Sequence, residues 1–247
     1  MKSIITQKAR RFAGFVSLSP FRIAAFTLHA TGLDRIYKPR FYRHSALFEL
    51  NNEIVNKLPK YAQTMTGGDC DPMNIILIGH EKDIKRAYKQ AGWYRANPAS
   101  PPHVLYGLIV AIFGRSYQKG PFAPLYVNVN LQDMAYQKPT SENNFRQRHH
   151  LRVWRTGVVL PDDKPVWVVS ASFDYKMRLT PKLPFFVHDI SPDLDKERSY
   201  VVNSLVDVGA VKLKSVKMID WIAADKPARN AFGSKYYTDG RAAVVEI

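Results

Sequence analysis

The sequence predicts an α+β fold: a mixed, mainly antiparallel sheet with helices packed on it and one N-terminal βα unit. Three patterns carry this prediction. Residues 74–79 (Asn-Ile-Ile-Leu-Ile-Gly) form a continuous apolar run bounded by Asp71-Pro72 and by Gly79, the mark of a strand covered on both faces. Ile84, Ala87, Tyr88 and Ala91 then recur at helical spacing until Gly92 stops them, which completes the βα unit. From Leu125 onward short strands over 125–130, 134–138, 148–156 and 166–173 are separated by turn residues such as Pro161-Asp162-Asp163, the pattern of an antiparallel meander.

The remaining elements follow the same logic. A loop containing Pro98, Pro101 and Pro102 leads into an apolar stretch over 104–113, read as a buried helix. Ser191-Pro192 is read as a helix start, with serine as cap, proline in the first turn and acids suited to the positive end of the helix dipole. That helix is expected to run to about Val208 and to stop at Gly209. A strand over 211–219 and a final hairpin, 236–238 turning at Asp239-Gly240 into 241–246, complete the expected sheet. There is no internal repeat, and no run of 18 or more apolar residues, so no membrane-spanning helix is expected.

Hydrophobic residues at 46% and aromatics at 12% supply a full core over 247 residues, which excludes a disordered chain. One domain, 46–247, behind a basic amphipathic arm, 1–45, is the expected organisation. The single cysteine, Cys70, can form no internal disulfide, which fits a reducing compartment. It lies in a Gly-Gly-Asp-Cys-Asp-Pro segment, read as a turn, with no histidine nearby to activate it.

Net charge is +15, and its distribution is uneven. In the first 45 residues Lys2, Lys8, Arg10, Arg11, Arg22, Arg35, Lys38, Arg40 and Arg43 stand against Asp34 alone. Such clustering attracts phosphate, on nucleic acid, on anionic lipid or on a soluble substrate. Phe12, Phe15, Val16, Leu18, Phe21, Ile23, Ala24, Phe26 and Leu28 lie among the cations, which suits either a segment lying at a membrane interface or a helix docked on the core. Lys8, Arg10 and Arg11 before an apolar stretch resemble a secretory signal, but Pro20 and Arg22 interrupt it, so the expected location is cytoplasmic, with peripheral contact on the inner membrane.

Two polar clusters could carry chemistry. Residues 146–155 read as a strand, and strand alternation sets His149, Leu151 and Val153 on one face and Arg148, His150, Arg152 and Trp154 on the other. On the next strand Ser170, Ser172 and Asp174 share a face. With a turn near Asp162, His150 falls opposite Asp174 and Arg152 opposite Ser172. A histidine oriented by a carboxylate and flanked by arginines is a general base beside an anion site; a solvated cross-strand ladder of charges is the plainer reading. In the second cluster, Arg198 falls on the apolar stripe of Leu194, Val201, Leu205 and Val208, so it needs a buried acid or a bound anion as partner. His188, Asp193 and Glu197 come nearest to a His/carboxylate metal set, but cap acids are common and adjacent His149 and His150 point apart, so neither a metal nor any other cofactor is expected.

Six segments occur in an order that resembles the LssY C-terminal domain family: 68–74 (Gly-Asp-Cys-Asp-Pro-Met-Asn), Ala91-Gly92-Trp93, 148–154 (Arg-His-His-Leu-Arg-Val-Trp), 171–174 (Ala-Ser-Phe-Asp), 188–198 (His-Asp-Ile-Ser-Pro-Asp-Leu-Asp-Lys-Glu-Arg) and 236–241 (Tyr-Tyr-Thr-Asp-Gly-Arg). None is specific alone, and together they span about 45–245. Cys70 and Ser191 depart from the family pattern in segments that read as turns, and the histidine and arginine positions are intact. The family takes its name from a component of a bacterial secretion locus and occurs alone or behind membrane-embedded domains, so the resemblance implies envelope or lipid-phosphate metabolism without fixing an activity.

Two functions from different classes are therefore expected to compete. One is a hydrolase or transferase acting on an anionic lipid or phosphorylated small molecule, with His150, Asp174 and His188 catalytic, Arg148, Arg152 and Arg198 holding the anion, and His149, Ser172, Asp193 and Arg241 accessory. The other is a non-catalytic module that binds anionic lipid or a membrane partner. Nucleic acid is not an expected partner, because no RNA- or DNA-binding motif accompanies the charge. The sequence names no protein partner.

Overall fold

The computed structural model describes residues 18–33, 45–46, 52–142, 145–160, 163–180, 183–223 and 228–247. Most of the basic arm, including Lys2 to Arg11, Phe12, Phe15, Val16 and Arg35 to Arg43, lies outside the described residues, as do Pro161 and Asp162. In chain order the elements are α1 (18–31), β1 (Ser45–Ala46), α2 (Asn52–Lys57), β2 (Tyr61–Gln63), β3 (Asp69–Pro72), β4 (Ile75–Ile78), α3 (Glu81–Gln90), β5 (Tyr94–Arg95) and α4 (Pro101–Ile112). They continue with β6 (Tyr126–Val127), β7 (Asn130–Leu131), β8 (Met134–Pro139), β9 (Arg148–Leu160), β10 (Lys164–Thr180), β11 (Leu183–Ile190), α5 (Leu194–Asp207), β12 (Lys217–Asp220), β13 (Ala228–Arg229), β14 (Lys235–Tyr236) and β15 (Arg241–Glu246).

The main sheet runs β12-β15-β4-β10-β9-β8-β5, with β1 added to β9 and β11 to β10. Pairing is antiparallel except for β4 with β15 and β1 with β9, so the expected α+β class with a mainly antiparallel sheet is what forms. All four residues of β4 are buried. Ile75 and Leu77 face one core with Leu151, Val153, Trp167 and Val169, closed by Ile84 and Tyr88 of α3 and Val201 and Leu205 of α5. Ile76 and Ile78 face a second core with Trp154, Val166 and Val168, closed by Val55 and Leu58 of α2 and by Ala62 and Cys70 of the small sheet β3-β2-β6-β7.

The β9–β10 hairpin explains the position of the polar residues. Next to the turn, Lys164 pairs with Leu160 and Pro165 with Val159, as a turn near Asp162 requires. A bulge then leaves three residues of β9, 156–158, against Val166 alone, and Thr156 staples it by donating its hydroxyl to the Val166 carbonyl at 2.7 Å. Beyond the bulge Ser172 pairs with His150 and Asp174 with Arg148, two residues away from the expected register. A shift of two preserves faces, so His150 and Asp174 stay on one side, as the alternation predicts.

Five further expectations need correction. The segment around Cys70 is the buried strand β3, because the chain turns earlier, at Gly67, with φ of +81°. The expected strand over 125–130 is the tight hairpin β6–β7, with Asn128 left-handed at its turn. The cap of α5 is Asp193 rather than Ser191: its carboxylate accepts the Lys196 amide at 3.0 Å. No terminal hairpin forms, because β14 pairs with β13 while β15 inserts between β12 and β4. The helix at 104–113 forms as α4 but is not buried; Gly107, Val110 and Ala111 pack inward, while Leu105, Ile109, Ile112 and Phe113 are exposed.

Candidate functional site

Two strands stop short beside β10 and open a gap in the sheet. β4 covers residues 166–169 of β10, and β11 joins only from Asp174. Between them the Asn74 side chain continues the ladder, donating to the Ala171 carbonyl at 2.9 Å and accepting the Ala171 amide at 3.0 Å. On the second-core face of β9 and β10, this stretch carries Arg148, His150, Arg152, Ser172 and Asp174, all buried. Above them lies a cavity of about 400 Å³. Its floor holds Arg148, His150, Arg152, Asp174, His188 and Asp71, and its walls are apolar: Phe26 of α1, Val104 and Leu108 of α4, then Phe122, Phe145 and Met177.

Arg148 is the fixed element of the floor. Its Nε donates to Asp174 Oδ2 at 2.9 Å and its Nη1 to Gln137 Oε1 at 2.9 Å. Phe122 and Phe145 lie against the guanidinium, each ring centroid 4.4 Å from Cζ. Gly120 lets Phe145 sit so close, since a Cβ there would stand 2.1 Å from the ring. Two histidines flank the same carboxylate: His150 Nδ1 is 3.3 Å from Asp174 Oδ1, and His188 Nδ1 is 3.5 Å from Oδ2. Neither nitrogen has a hydrogen-bond partner among the described residues. Burial lowers His150 to about 3, against the attraction of Asp174 and helped by Arg152 and Arg148. Burial likewise lowers His188 to about 4. Both rings are therefore neutral near pH 7, and their contacts with Asp174 are those of a dipole with an anion. Burial works to raise Asp174, but His150, His188 and Arg148 outweigh it and bring it to about 2.

Arg152 differs from Arg148. It is buried, and among the described residues its Nε has no hydrogen-bond partner and its nearest acid is Asp71, at 4.0 Å from Nη1 to Oδ2. Asp71 is itself held by Asn230, whose Nδ2 donates at 2.9 Å, and by the Ser172 hydroxyl at 3.4 Å. Burial raises the Asp71 carboxyl above the usual range, against Arg152 and Asn230. A buried guanidinium with an unused donor and a loosely held counter-charge is suited to an incoming anion. Cys70, next in the chain, is pushed up by burial and is no nucleophile.

The structure thus brings Arg148, His150, Arg152, Ser172, Asp174 and His188 together, and it places the other sequence candidates elsewhere. Arg198 was expected beside His150 and Asp174. It instead donates to Asp239 from Nη1 at 2.8 Å and Nη2 at 3.0 Å, to Asp195 at 2.9 Å and to the Arg241 carbonyl at 2.7 Å. These bonds hold Asp239 well below the usual carboxylate range. Arg241 pairs with the same Asp239 at 3.1 Å. His149 points to the α5 side, with Nδ1 2.9 Å from Glu197 and its ring stacked on Tyr200 at 3.8 Å. Asp193, occupied as a cap, and Glu197, paired with His149, cannot join His188 in a metal set. Among the described residues no group of three His, Cys, Asp or Glu is arranged to hold a metal ion.

Sequence reasoning missed Asp71, Asn230, Gln137 and the two phenylalanines. For Asp71 a signal exists: it lies in the segment 68–74 that carries the family resemblance, where Asp71-Pro72 has the pattern of a turn.

Fold and cavity together define an α+β domain with a buried arginine–histidine–aspartate floor under apolar walls. Residues 55–242 match the family model described as LssY C-terminus, and the chain belongs to that family. No curated protein and no solved structure matches it.

Proposed function

We propose that the domain takes an amphiphilic anion, with a phosphate-like head group on the cavity floor and an apolar tail along the walls, and acts on that head group as a hydrolase or transferase. The observation that carries this reading is the pairing of Arg152, buried with an unused donor, with walls made of Phe26, Val104, Leu108, Phe122, Phe145 and Met177. A wholly soluble sugar phosphate would leave those walls against water, and a neutral lipid would leave the guanidinium without an acceptor.

In this reading Arg148 and Arg152 hold the anionic oxygens. His150, with Nδ1 toward Asp174, accepts at Nε2 the proton of the attacking water or alcohol as its oxygen bonds to phosphorus, and returns it to the leaving oxygen as the phosphorus–oxygen bond breaks. Asp174 orients the ring and compensates the transient imidazolium. A bound dianion raises the basicity of His150, offsetting the burial that lowers it to about 3.

That low basicity favours a second reading, in which the floor binds the head group without turnover. Calorimetric titration with a short-chain lipid phosphate, a matched phosphocholine and inorganic phosphate tests the common ground. Tight binding of the lipid phosphate alone is the expected result, and equal binding of the phosphocholine overturns it. Phosphate release or transfer from the bound lipid, lost in His150→Gln with binding retained, separates the enzyme from the binding module.

A further inference from the structure

Helix α4 is a wall with two apolar sides. Val104, Gly107 and Leu108 line the cavity. On the other side Leu105, Ile109, Ile112 and Phe113 follow one another at helical spacing and are 60%, 43%, 65% and 70% exposed. Helix α1 rims the same cavity through Phe26 and leaves Phe21 and Ile23 more than half exposed. It is pinned there by buried Arg22, whose guanidinium donates to the carbonyls of Asn128 at 2.6 Å and Thr64 at 3.0 Å and to Gln63 Oε1 at 2.7 Å. The exposed side chains therefore stand on an anchored helix.

The chain segment that carries this face is basic. From Gly92 to Gln132 the chain holds Arg95, Arg115 and Lys119 and no aspartate or glutamate. α4 itself has no charged residue, and Arg115 and exposed Lys119 follow its end. Apolar side chains at helical spacing, with Arg115 just past the helix and the Arg146 guanidinium donating to the Ala111 and Ile112 carbonyls at its end, match the requirements of an anionic lipid surface: the side chains enter the acyl boundary and the cations meet the head groups.

We propose that the outer face of α4 seats on an anionic bilayer, placing the cavity immediately behind the membrane contact. The face rests on different residues from the floor that would hold the head group, so the two readings can fail separately.

The test is co-sedimentation of the full chain with phosphatidylcholine vesicles, with and without phosphatidylglycerol. The wild-type protein binds the mixed vesicles and releases them as salt rises. Ile109→Glu/Ile112→Glu loses at least about tenfold in vesicle affinity, since two apolar insertions become two desolvated charges. Its thermal midpoint and its binding of a short-chain lipid phosphate below the micellar concentration stay unchanged. Arg115→Glu/Lys119→Glu loses the preference for anionic vesicles. Unchanged vesicle binding by the Ile109/Ile112 variant, or no wild-type binding to mixed vesicles, overturns the proposal. So does a wild-type dimer in sedimentation velocity that this variant converts to monomer.

Discussion

Nη1 of Arg152 stands 4.0 Å from Oδ2 of Asp71, close enough to share charge and too far to share a hydrogen bond, and the arginine's Nε has no hydrogen-bond partner among the described residues. Stability gains little from such a group. Arg152→Met should therefore change the unfolding free energy by no more than about 1 kcal/mol in either direction, because the Asp71 carboxyl, which burial already raises, can take up a proton once its nearest cation is gone and keeps Asn230 and Ser172. Affinity for a short-chain lipid phosphate should fall about ten- to a hundredfold, the worth of a charge-assisted bond. Chemical denaturation and calorimetry check both halves. A destabilised variant with unchanged affinity makes Arg152 structural.

Asp174→Asn should behave in the opposite way. It removes the carboxylate that accepts from Arg148 Nε, and among the described residues no other acid takes its place, so a buried guanidinium is left without a counter-charge at a cost of about 3–5 kcal/mol. Adding Arg148→Met should recover a large part of that loss. Additive losses in the double variant would mean that the pair does not act as a unit.

Acid should unfold the domain through its histidines. His150 at about 3 and His188 at about 4 lie below the ordinary 6.5, so the folded state binds fewer protons than the unfolded chain and stability falls as pH falls below 6.5. At pH 5 each contributes a loss of about 2 kcal/mol relative to pH 7.5. Asp71 and Glu197, raised by burial, titrate with the opposite sign, so the comparison must be made within variants. His150→Gln/His188→Gln should flatten the urea midpoint between pH 7 and 5. A slope equal to that of the wild-type protein would show that the rings are solvated in solution.

Arg198→Ala should lower stability by about 2–4 kcal/mol, because it unties Asp239, Asp195 and the Arg241 carbonyl at the foot of α5. Phosphate affinity should be unaffected. A variant that folds normally but loses the anion would return Arg198 to the binding site.

How far the sequence reached can be read from these same residues. Alternation along β9 and β10 placed His150, Arg152, Ser172 and Asp174 on one side, because the rule depends only on parity and the bulge at 156–158 shifts the register by two. Periodicity also put Arg198 on the buried stripe of α5, and it is buried. Which anion it would meet was not legible, because Asp239 approaches from 41 residues away, through a strand connection that no local pattern encodes. The cavity was invisible for the same reason: its walls come from α1, α4 and the loop at Phe122, whose mutual placement is a matter of tertiary packing. The apolar run at 104–113 is equally compatible with a buried helix and with one whose outer face is left open, since composition cannot report the number of neighbours.

His149 and His150 are consecutive, yet one stacks beneath α5 and the other belongs to the cavity floor. A single inserted residue between Arg146 and Trp154 would exchange the two surfaces of the strand, sending Leu151 and Val153 into the cavity and two arginines into the core. Insertions and deletions among family members should therefore collect in the connections around 140–147 and 161–163. The stretch 148–155 should keep its length even where its side chains diverge, and substitutions on its two surfaces should vary independently of each other.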